Sequence, residues 1–144
     1  MKEYDVIVVG GGLLSISSAF ACAHLNKETL LLTLNIKMMG NMPCNPSIGG
    51  SAKGIVVREI DALGGMMGKA ADHHYLQMKV LNTGKGPGVQ CLRAQQDKLE
   101  YPDFLQQLTL KTEHLTVKEE TVISVIHDDK HVFGVRLESG EEYT

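Results

Sequence analysis

The chain has 144 residues, which is enough for one domain with a sizeable core. Its 43% hydrophobic and 22% charged residues are typical of a globular protein, and its net charge of −3 gives no general basic signal for nucleic acid. Three cysteines without a CxxC pair indicate neither a zinc site nor a disulfide framework. The short N-terminal apolar run is interrupted by acidic residues, and no stretch approaches membrane-spanning length. We therefore expect a cytoplasmic protein that has no membrane contact.

The first 33 residues predict a strand, a glycine turn, a helix and a second strand. Residues 4–9 and 29–33 are short apolar runs of the kind found in buried parallel strands. Residues 15–25 place apolar side chains at helical spacing. This order opens a doubly wound α/β fold, with a parallel sheet and helices on both faces. The apolar side chains of the predicted helix are Ile16, Ala19, Phe20 and Ala23.

The middle of the chain predicts loops and helices. Residues 34–50 lack periodicity and are expected to form a structured loop, and residues 83–88 form a second loop rich in glycine and proline. A helix is predicted over 52–65, ended by its glycine pair, and another over 89–101. Pro102 either kinks that helix or starts a new one. The apolar side of the helix over 52–65 is predicted to hold Ile55, Val56, Ile60 and Leu63.

From about residue 115 the pattern changes to strands, which predicts a β-meander over about 115–144. The acidic run at 118–120 is expected to lie on the surface of this meander. The last predicted strand reaches the end of the chain, so we expect an incomplete domain, the N-terminal part of a longer one.

The glycine turn after the first strand matches a dinucleotide-binding fingerprint. Gly10, Gly12 and Ser15 occupy its three positions, where a pyrophosphate would rest on the N–H groups that open the next helix. The carboxylate that normally binds a ribose hydroxyl about 20 residues later is absent, and Thr33 stands at the end of the second strand. The alternative is a glycine turn with a purely structural role.

The loop over 40–54 surrounds one thiol with rigid backbone. Pro43 and Pro46 fix φ on both sides of Cys44, and Gly49 and Gly50 let the chain pass close to a flat ligand. Cys44 is therefore a candidate catalytic residue. The alternative is that Cys44 packs as a small hydrophobe and that the loop acts through its backbone.

Two further groups of side chains have ordinary explanations beside functional ones. His73 and His74 are adjacent and lack the spacing of metal ligands, so we predict a solvated pair and no metal site. Cys91 is predicted to be buried in the core. Basic side chains near the glycine loops can contact phosphate from FAD or tRNA, although such side chains are usually only solvated: Lys53, Arg58, Lys79, Lys85 and Arg93.

A longer set of motifs runs in order through nearly all of the sequence: "DVIVVGGG", "CNPSIGG", "AKG", "REIDALGG", "LNTGKGPGV" and "RAQQDKLEY". Together they resemble the FAD-dependent tRNA uridine-modifying family called MnmG or GidA. The resemblance implies a Rossmann-like FAD-binding domain. It also implies addition of a carboxymethylaminomethyl or aminomethyl group to the wobble uridine of tRNA, with NADH and a methylene-folate carbon donor. A homodimer and a GTPase partner of the MnmE type are implied as well.

The resemblance also implies roles for individual residues. The loop over 10–15 would hold the FAD phosphates, with Leu13, Leu14 and Ser15 where the family has histidine, alanine and glycine. Cys44 would lie beside the flavin and give covalent or acid–base assistance to addition at the uridine ring. The expected cofactor-binding residues are Gly10, Gly11, Gly12, Leu13, Leu14, Ser15, Thr33, Asn45, Pro46, Gly49, Gly50, Lys85, Gly86, Pro87 and Val122.

Two other functions stay open. One is another flavoprotein of the same superfamily, such as a folate-dependent tRNA methyltransferase or a reductase. The other is a catalytically inactive binding remnant. In every case we expect the 144 residues alone to lack a complete activity, because the family's other domains do not occur in them.

Overall fold

The structure is a computed structural model that describes residues 2–43 and 45–144. It divides into two compact units, one formed by Met1–Met39 and Gln106–Thr144 and the other by Gly40–Leu105. Among the described helices, none combines the length and the apolar character that a membrane crossing requires.

The described residues form a mixed sequence of strands and helices. Short 3-10 helices also occur at Ile36–Met38 and Pro87–Val89. In chain order the elements are β1 (Val6–Val9), α1 (Leu13–His24), β2 (Thr29–Thr33), β3 (Ser47–Gly49), α2 (Lys53–Ala62), α3 (Met67–His74), β4 (Tyr75–Leu81), β5 (Cys91–Gln96), α4 (Glu100–Lys111), β6 (Leu115–Glu119), β7 (Val122–His127), β8 (Val132–Leu137) and β9 (Glu142–Tyr143).

The first unit contains a parallel sheet with strand order β1-β2-β6. All five residues of β2 are buried, as expected for a central strand covered on both faces. Helix α1 packs its predicted apolar face inward. The α/β prediction with a parallel sheet is therefore confirmed, and so is the predicted inner face of α1: Ile16, Ala19, Phe20 and Ala23.

The first unit also contains a three-stranded antiparallel meander with order β7-β8-β9. The prediction of a meander from residue 115 is wrong for its first strand. Residues Leu115–Glu119 form β6, which pairs in parallel with β2. The acidic run at 118–120 therefore begins inside the parallel sheet. The prediction failed because a strand's partner is not encoded in the strand's own local sequence.

A cluster of buried apolar side chains joins the meander to β2. Tyr4, Ile7 and Val122 pack against its edge. Because β2 and β8 both contribute, this core fixes the two sheets of the first unit together. Its members are Leu30, Leu32, Val135, Leu137 and Tyr143.

The second unit is built on an antiparallel sheet with order β3-β5-β4. The predicted helix over 89–101 is wrong in its first half, because Cys91–Gln96 form the central strand β5. Ala94 and Gln96 alternate inward there, and β5 pairs with a neighbour on each side. The predicted loop over 34–50 likewise ends in the short strand β3.

The helices of the second unit differ from the predicted pattern at α2. This helix ends at the Gly64–Gly65 turn as predicted, but its buried residue is Val57. Ile55 and Leu63 were predicted to share an inner face and are instead 61% and 88% exposed. Helix α4 begins at Glu100, so Pro102 lies in its first turn, where proline is tolerated.

Candidate functional site

The loop between β1 and α1 has the geometry of a phosphate-binding turn. Gly10 has φ +119°, a conformation that favours glycine, and its N–H donates to the carbonyl of Leu32 at 2.7 Å. Gly12 caps α1 without a side-chain hydrogen bond from any described residue. The first N–H groups of this 12-residue helix are therefore available to an anion.

The three glycines of this loop differ in their surroundings. A Cβ on Gly11 would lie 2.5 Å from Oγ1 of Thr33 and 2.9 Å from Cγ of Met39, so packing requires glycine there. A Cβ on Gly12 would meet no described atom within 4 Å. The space over Gly12 is open, as it must be if a ligand approaches the backbone closely.

The residues that depart from the fingerprint lie in the first turn of α1. The hydroxyl of Ser15 would lie 3.1 Å from a Cβ on Gly10, so its side chain fits against the turn. Leu13 is half-buried, and Leu14 points to solvent with 80% exposure. The helix therefore starts at the expected place with all three substitutions present.

The carboxyl ends of β2 and β6 lie side by side, with Thr33 paired to Glu119. Thr33 is 5% exposed and lies beneath Gly11. The carboxylate of Glu119 accepts a hydrogen bond from the N–H of Ile36 at 2.8 Å. Sequence reasoning missed Glu119 because it assigned the acidic run to a meander, and only the pairing of β6 with β2 reveals its position.

Val122 stands at the start of β7 and packs against the cluster around Leu32 and Leu137. The structure thus brings Val122 into the same unit as Thr33 and the loop over 10–15. Seven of the predicted cofactor-binding residues in this unit lie at or near the carboxyl ends of β1 and β2, and Val122 begins the strand that follows β6.

The remaining predicted cofactor-binding residues belong to the second unit, where two loops flank β5. Asn45 accepts a hydrogen bond from the guanidinium of Arg93 at 3.3 Å and another from the hydroxyl of Ser47 at 3.1 Å. The N–H of Gly50 donates to the carbonyl of Leu92 at 2.9 Å. These bonds hold the loop over 45–50 onto β5.

Gly49 packs directly against the backbone of β5. It has φ +107°, and a Cβ there would overlap the carbonyl oxygen of Leu92. Gly50 has φ +98°, but a Cβ on it would meet no described atom within 4 Å. Pro46 accepts from the N–H of Gln96 at 2.6 Å, which ties the loop to the end of β5.

Lys53 begins α2, and its ammonium donates to the carbonyl of Ser47 at 2.9 Å. Partial burial lowers the pKa of Lys53. This lysine therefore fastens the start of α2 to β3 and has a structural role in addition to its charge.

The loop that contains Lys85, Gly86 and Pro87 is exposed and is closed by hydrogen bonds within itself. The N–H of Lys85 donates to Asn82, whose side-chain amide donates to the carbonyl of Val89 at 2.9 Å. The backbone of this loop is therefore ordered without a ligand, and its lysine side chain projects from an exposed position.

A cavity of about 370 Å³ lies within the second unit, between α2, α3 and β5. Cys91 lines it, with Sγ 3.6 Å from the hydroxyl of Ser51, so the prediction that Cys91 belongs to the core is wrong. Arg58, Asp61 and Asp72 add charge to a wall that also contains the polar Ser51 and Gln90 beside its apolar side chains. The cavity can accept a small ligand with both apolar and charged parts.

Two further predictions concern the adjacent histidines and Cys44. His74 is half-buried and its Nδ1 lies 3.4 Å from Oε2 of Glu100, so the prediction of a solvated pair is wrong for this residue. His73 is exposed. Cys44, the predicted catalytic residue, lies outside the described residues.

Comparison with known proteins identifies relatives along the whole chain. The sequence pattern of the family described as "Glucose inhibited division protein A" matches residues 5–144. A relative from Lactococcus lactis subsp. lactis (strain IL1403), described as tRNA uridine 5-carboxymethylaminomethyl modification enzyme MnmG, is 51% identical over 144 residues. That match covers 99% of this chain and 23% of the relative. The MnmG of Ligilactobacillus salivarius (strain UCC118) is 52% identical over 142 residues, with 99% and 22% covered.

Solved structures give the same result. GidA of Aquifex aeolicus, in its form II crystal, superposes with a TM-score of 0.94 at 48% identity, over 99% of this chain and 24% of that one. The probable FAD-dependent monooxygenase PqsL of Pseudomonas aeruginosa has a TM-score of 0.64 at 12% identity, over 99% and 40%, and shares the fold alone.

The relatives described as MnmG or GidA each match 99% of this chain. The chain spans about a quarter of the length of the relatives that it resembles. The family pattern nevertheless matches almost every residue of the chain itself. The chain therefore belongs to the glucose inhibited division protein A family, GidA or MnmG.

Proposed function

We propose that this chain binds FAD as part of a protein that modifies the wobble uridine of tRNA. The observation that carries the proposal is the turn over Gly10–Gly12, which leaves the first N–H groups of α1 bare and the space above Gly12 open. A pyrophosphate fits this arrangement because α1 has no acidic residue in its first turn and a positive dipole end.

Each residue of the loop has a distinct task in this proposal. Gly12 and the backbone of Leu13 would donate to the phosphates. Gly11 permits the loop to lie directly on Thr33, which fixes its height above the sheet. Ser15 fills the space beside Gly10 that glycine leaves empty in the fingerprint. The backbone of Val122 would contact the adenine.

Residues of two loops in the second unit are the proposed contacts of the flavin, as the resemblance implies. The first loop contains Asn45, Pro46, Gly49 and Gly50, and it is held on β5 by the bonds to Arg93 and Leu92. Lys85, Gly86 and Pro87 belong to the second loop. When bound, FAD supplies hydride and electron transfer, and the protein orients it and excludes water.

The reaction proposed is addition of a carboxymethylaminomethyl or aminomethyl group to the wobble uridine, and Cys44 is the proposed catalytic residue for addition at that ring. NADH and a methylene-folate donor are the proposed co-reactants. The proposed partners are tRNA, a GTPase of the MnmE type and a second copy of the protein, in the cytoplasm. The name of the relatives, tRNA uridine 5-carboxymethylaminomethyl modification enzyme, supports this reaction.

The cofactor part of the proposal is tested by the visible spectrum of the chain. We expect the protein, purified without added flavin, to absorb as an oxidised flavin, and its released ligand to have the mass of FAD. A folded but colourless chain that also fails to take up added FAD would contradict the proposal. That outcome would favour an inactive binding remnant.

The tRNA part is tested separately, by nucleoside mass spectrometry of tRNA from cells that lack the gene. We expect loss of the carboxymethylaminomethyl and aminomethyl uridines. An unchanged set of wobble uridines would contradict this assignment, and a missing methyl group at another uridine would favour the folate-dependent methyltransferase.

A further inference from the structure

The nucleotide site of the first unit lacks an acidic residue at the end of β2, where dinucleotide-binding folds usually place one. Such a carboxylate accepts a hydrogen bond from a hydroxyl of the adenosine ribose. The structure has a carboxylate one strand away, on Glu119 at the end of β6, paired with Thr33. Both strands are parallel, so both carboxyl ends lie at the sheet edge that carries the phosphate loop.

Thr33, at the end of β2, and Asn35, two residues later, each have a hydrogen-bond partner already. The hydroxyl of Thr33 is buried beneath Gly11 and lies 3.5 Å from the carbonyl of Asn35. The side-chain oxygen of Asn35 accepts from the N–H of Lys37 at 2.9 Å. Neither residue carries a charge, so neither supplies the charged acceptor that the ribose normally meets.

Glu119 is placed to accept a hydrogen bond from a ribose hydroxyl and has a free acceptor for it. Its Oε2 accepts from the N–H of Ile36 at 2.8 Å, which aims the side chain at the segment that follows β2. A carboxylate offers about four acceptor sites, so one bond leaves room for another. The residue is exposed at the sheet edge, where a ligand can reach it.

We propose that Glu119 binds the 2′-hydroxyl of the adenosine ribose of FAD, in place of the carboxylate that β2 lacks. This inference rests on the proposed binding of FAD. Its alternative is that Glu119 only holds the segment after β2 through Ile36. The two roles differ in what they predict for a ligand that has no 2′-hydroxyl.

The experiment is a double comparison by calorimetry, with FAD and with its 2′-deoxyadenosine analogue as probes. The proteins are the unaltered chain, Glu119→Ala, Glu119→Gln and the control Glu138→Ala, which removes the same charge from an exposed position in the same unit. A hydrogen bond to a charged group corresponds to about a 10- to 100-fold change in affinity.

We expect the unaltered chain and Glu138→Ala to bind FAD about 10- to 100-fold more tightly than the deoxy analogue. Glu119→Ala should bind both probes about equally, with the affinity of the unaltered chain for the analogue. Glu119→Gln keeps an oxygen for Ile36 but loses the charge, so we expect intermediate discrimination. If circular dichroism shows that Glu119→Ala does not fold, the discrimination between the two probes by Glu119→Gln tests the inference.

Three results would overturn the inference. Equal binding of the two probes by the unaltered chain would show that the ribose hydroxyl is not recognised. Undiminished discrimination by a folded Glu119 variant would show that another group recognises it, and both results would leave the proposed binding of FAD intact. Failure of the unaltered chain to bind either probe would overturn both proposals together.

Discussion

The two glycine loops of the molecule are held in place by different kinds of contact. In the first unit, a Cβ on Gly11 would meet side-chain atoms of Thr33 and Met39. In the second unit, a Cβ on Gly49 would meet the backbone carbonyl of Leu92, in the middle of a sheet. A side chain can move a few tenths of an ångström, whereas a carbonyl paired within a sheet cannot. We therefore expect a side chain at Gly49 to cost more stability than a side chain at Gly11.

The loops also differ in the helix that each one precedes. Helix α1 buries four side chains in the first unit, whereas α2 buries Val57. A ligand site is most accurate when a well-packed element supports it. The loop over 10–15 therefore precedes the better-packed helix, while the loop over 45–50 depends on hydrogen bonds to β5.

Among the substitutions that distinguish the two loops, we expect Gly49→Ala to cause the largest loss of stability. The new methyl group would overlap a backbone atom at positive φ, so we expect a loss of about 3 kcal/mol in the free energy of unfolding. Urea denaturation measures it. Gly50→Ala is the matched control, because it has similar φ but open space, and about 1 kcal/mol is expected. Equal losses at both positions would show that φ alone, and not the contact with Leu92, requires glycine.

A smaller loss, about 1–2 kcal/mol, is expected from Gly11→Ala, because Thr33 and Met39 can move aside in part. The double variant Gly11→Ala with Thr33→Ala should recover part of it, since the nearest atom is then absent. Thermal unfolding of the single and double variants gives the coupling. Strict additivity would mean that Thr33 is not what excludes a side chain at Gly11.

The smallest effect concerns pH and the bonds that join the meander to β6. Lys118 donates to the carboxylate of Glu141 and to the hydroxyl of Tyr143. The bond from Lys118 is the main reason that the pKa of Glu141 lies below its ordinary value of 4.5, and the bond from Tyr143 adds to it. A carboxyl group with a lowered pKa contributes stability that is present above its unfolded pKa and is lost as the pH falls through its folded pKa.

We therefore expect Glu141→Gln to lower the melting temperature slightly at about pH 7, and we expect this loss to shrink as the pH falls from 4.5 through the lowered pKa of the folded state, where the carboxyl takes up a proton. Melting curves across this range measure the difference. Glu138→Gln, at an exposed position nearby, serves as the control. A difference that grows as the pH falls would contradict the assignment.

The parts of the fold that could be predicted are those whose signal is local. The apolar run at residues 29–33 predicted β2, whose five residues are all buried. The spacing of Ile16, Ala19 and Phe20 predicted the inner face of α1. Strand β5 escaped prediction because its inward positions include the polar residue Gln96, so its alternation is not visible in hydrophobicity. Strand β4, at an edge with nearly all residues exposed, carries no pattern of burial either.

In the candidate site, too, the residues of local motifs could be predicted, and those brought together by tertiary structure could not. The fingerprint at Gly10 and Gly12 is a local motif and predicted the turn correctly. The position of Glu119 depends on β6 lying beside β2, and the paired residues Thr33 and Glu119 are 86 positions apart in the chain (119 − 33). No local pattern encodes that pairing. The cavity beside Cys91 arises in the same way, because α2, α3 and β5 meet only in the folded unit.

The central claim, that the bare start of α1 holds the phosphates of FAD, is tested most directly by titrating FAD into the unaltered chain and into Gly12→Asp. Gly12 has an extended backbone and open surroundings, so aspartate there can cap the helix and leave the melting temperature unchanged or slightly raised. The same carboxylate would repel a pyrophosphate. We predict that FAD affinity falls by at least about 100-fold without loss of stability. An undiminished affinity in the folded variant would contradict the account.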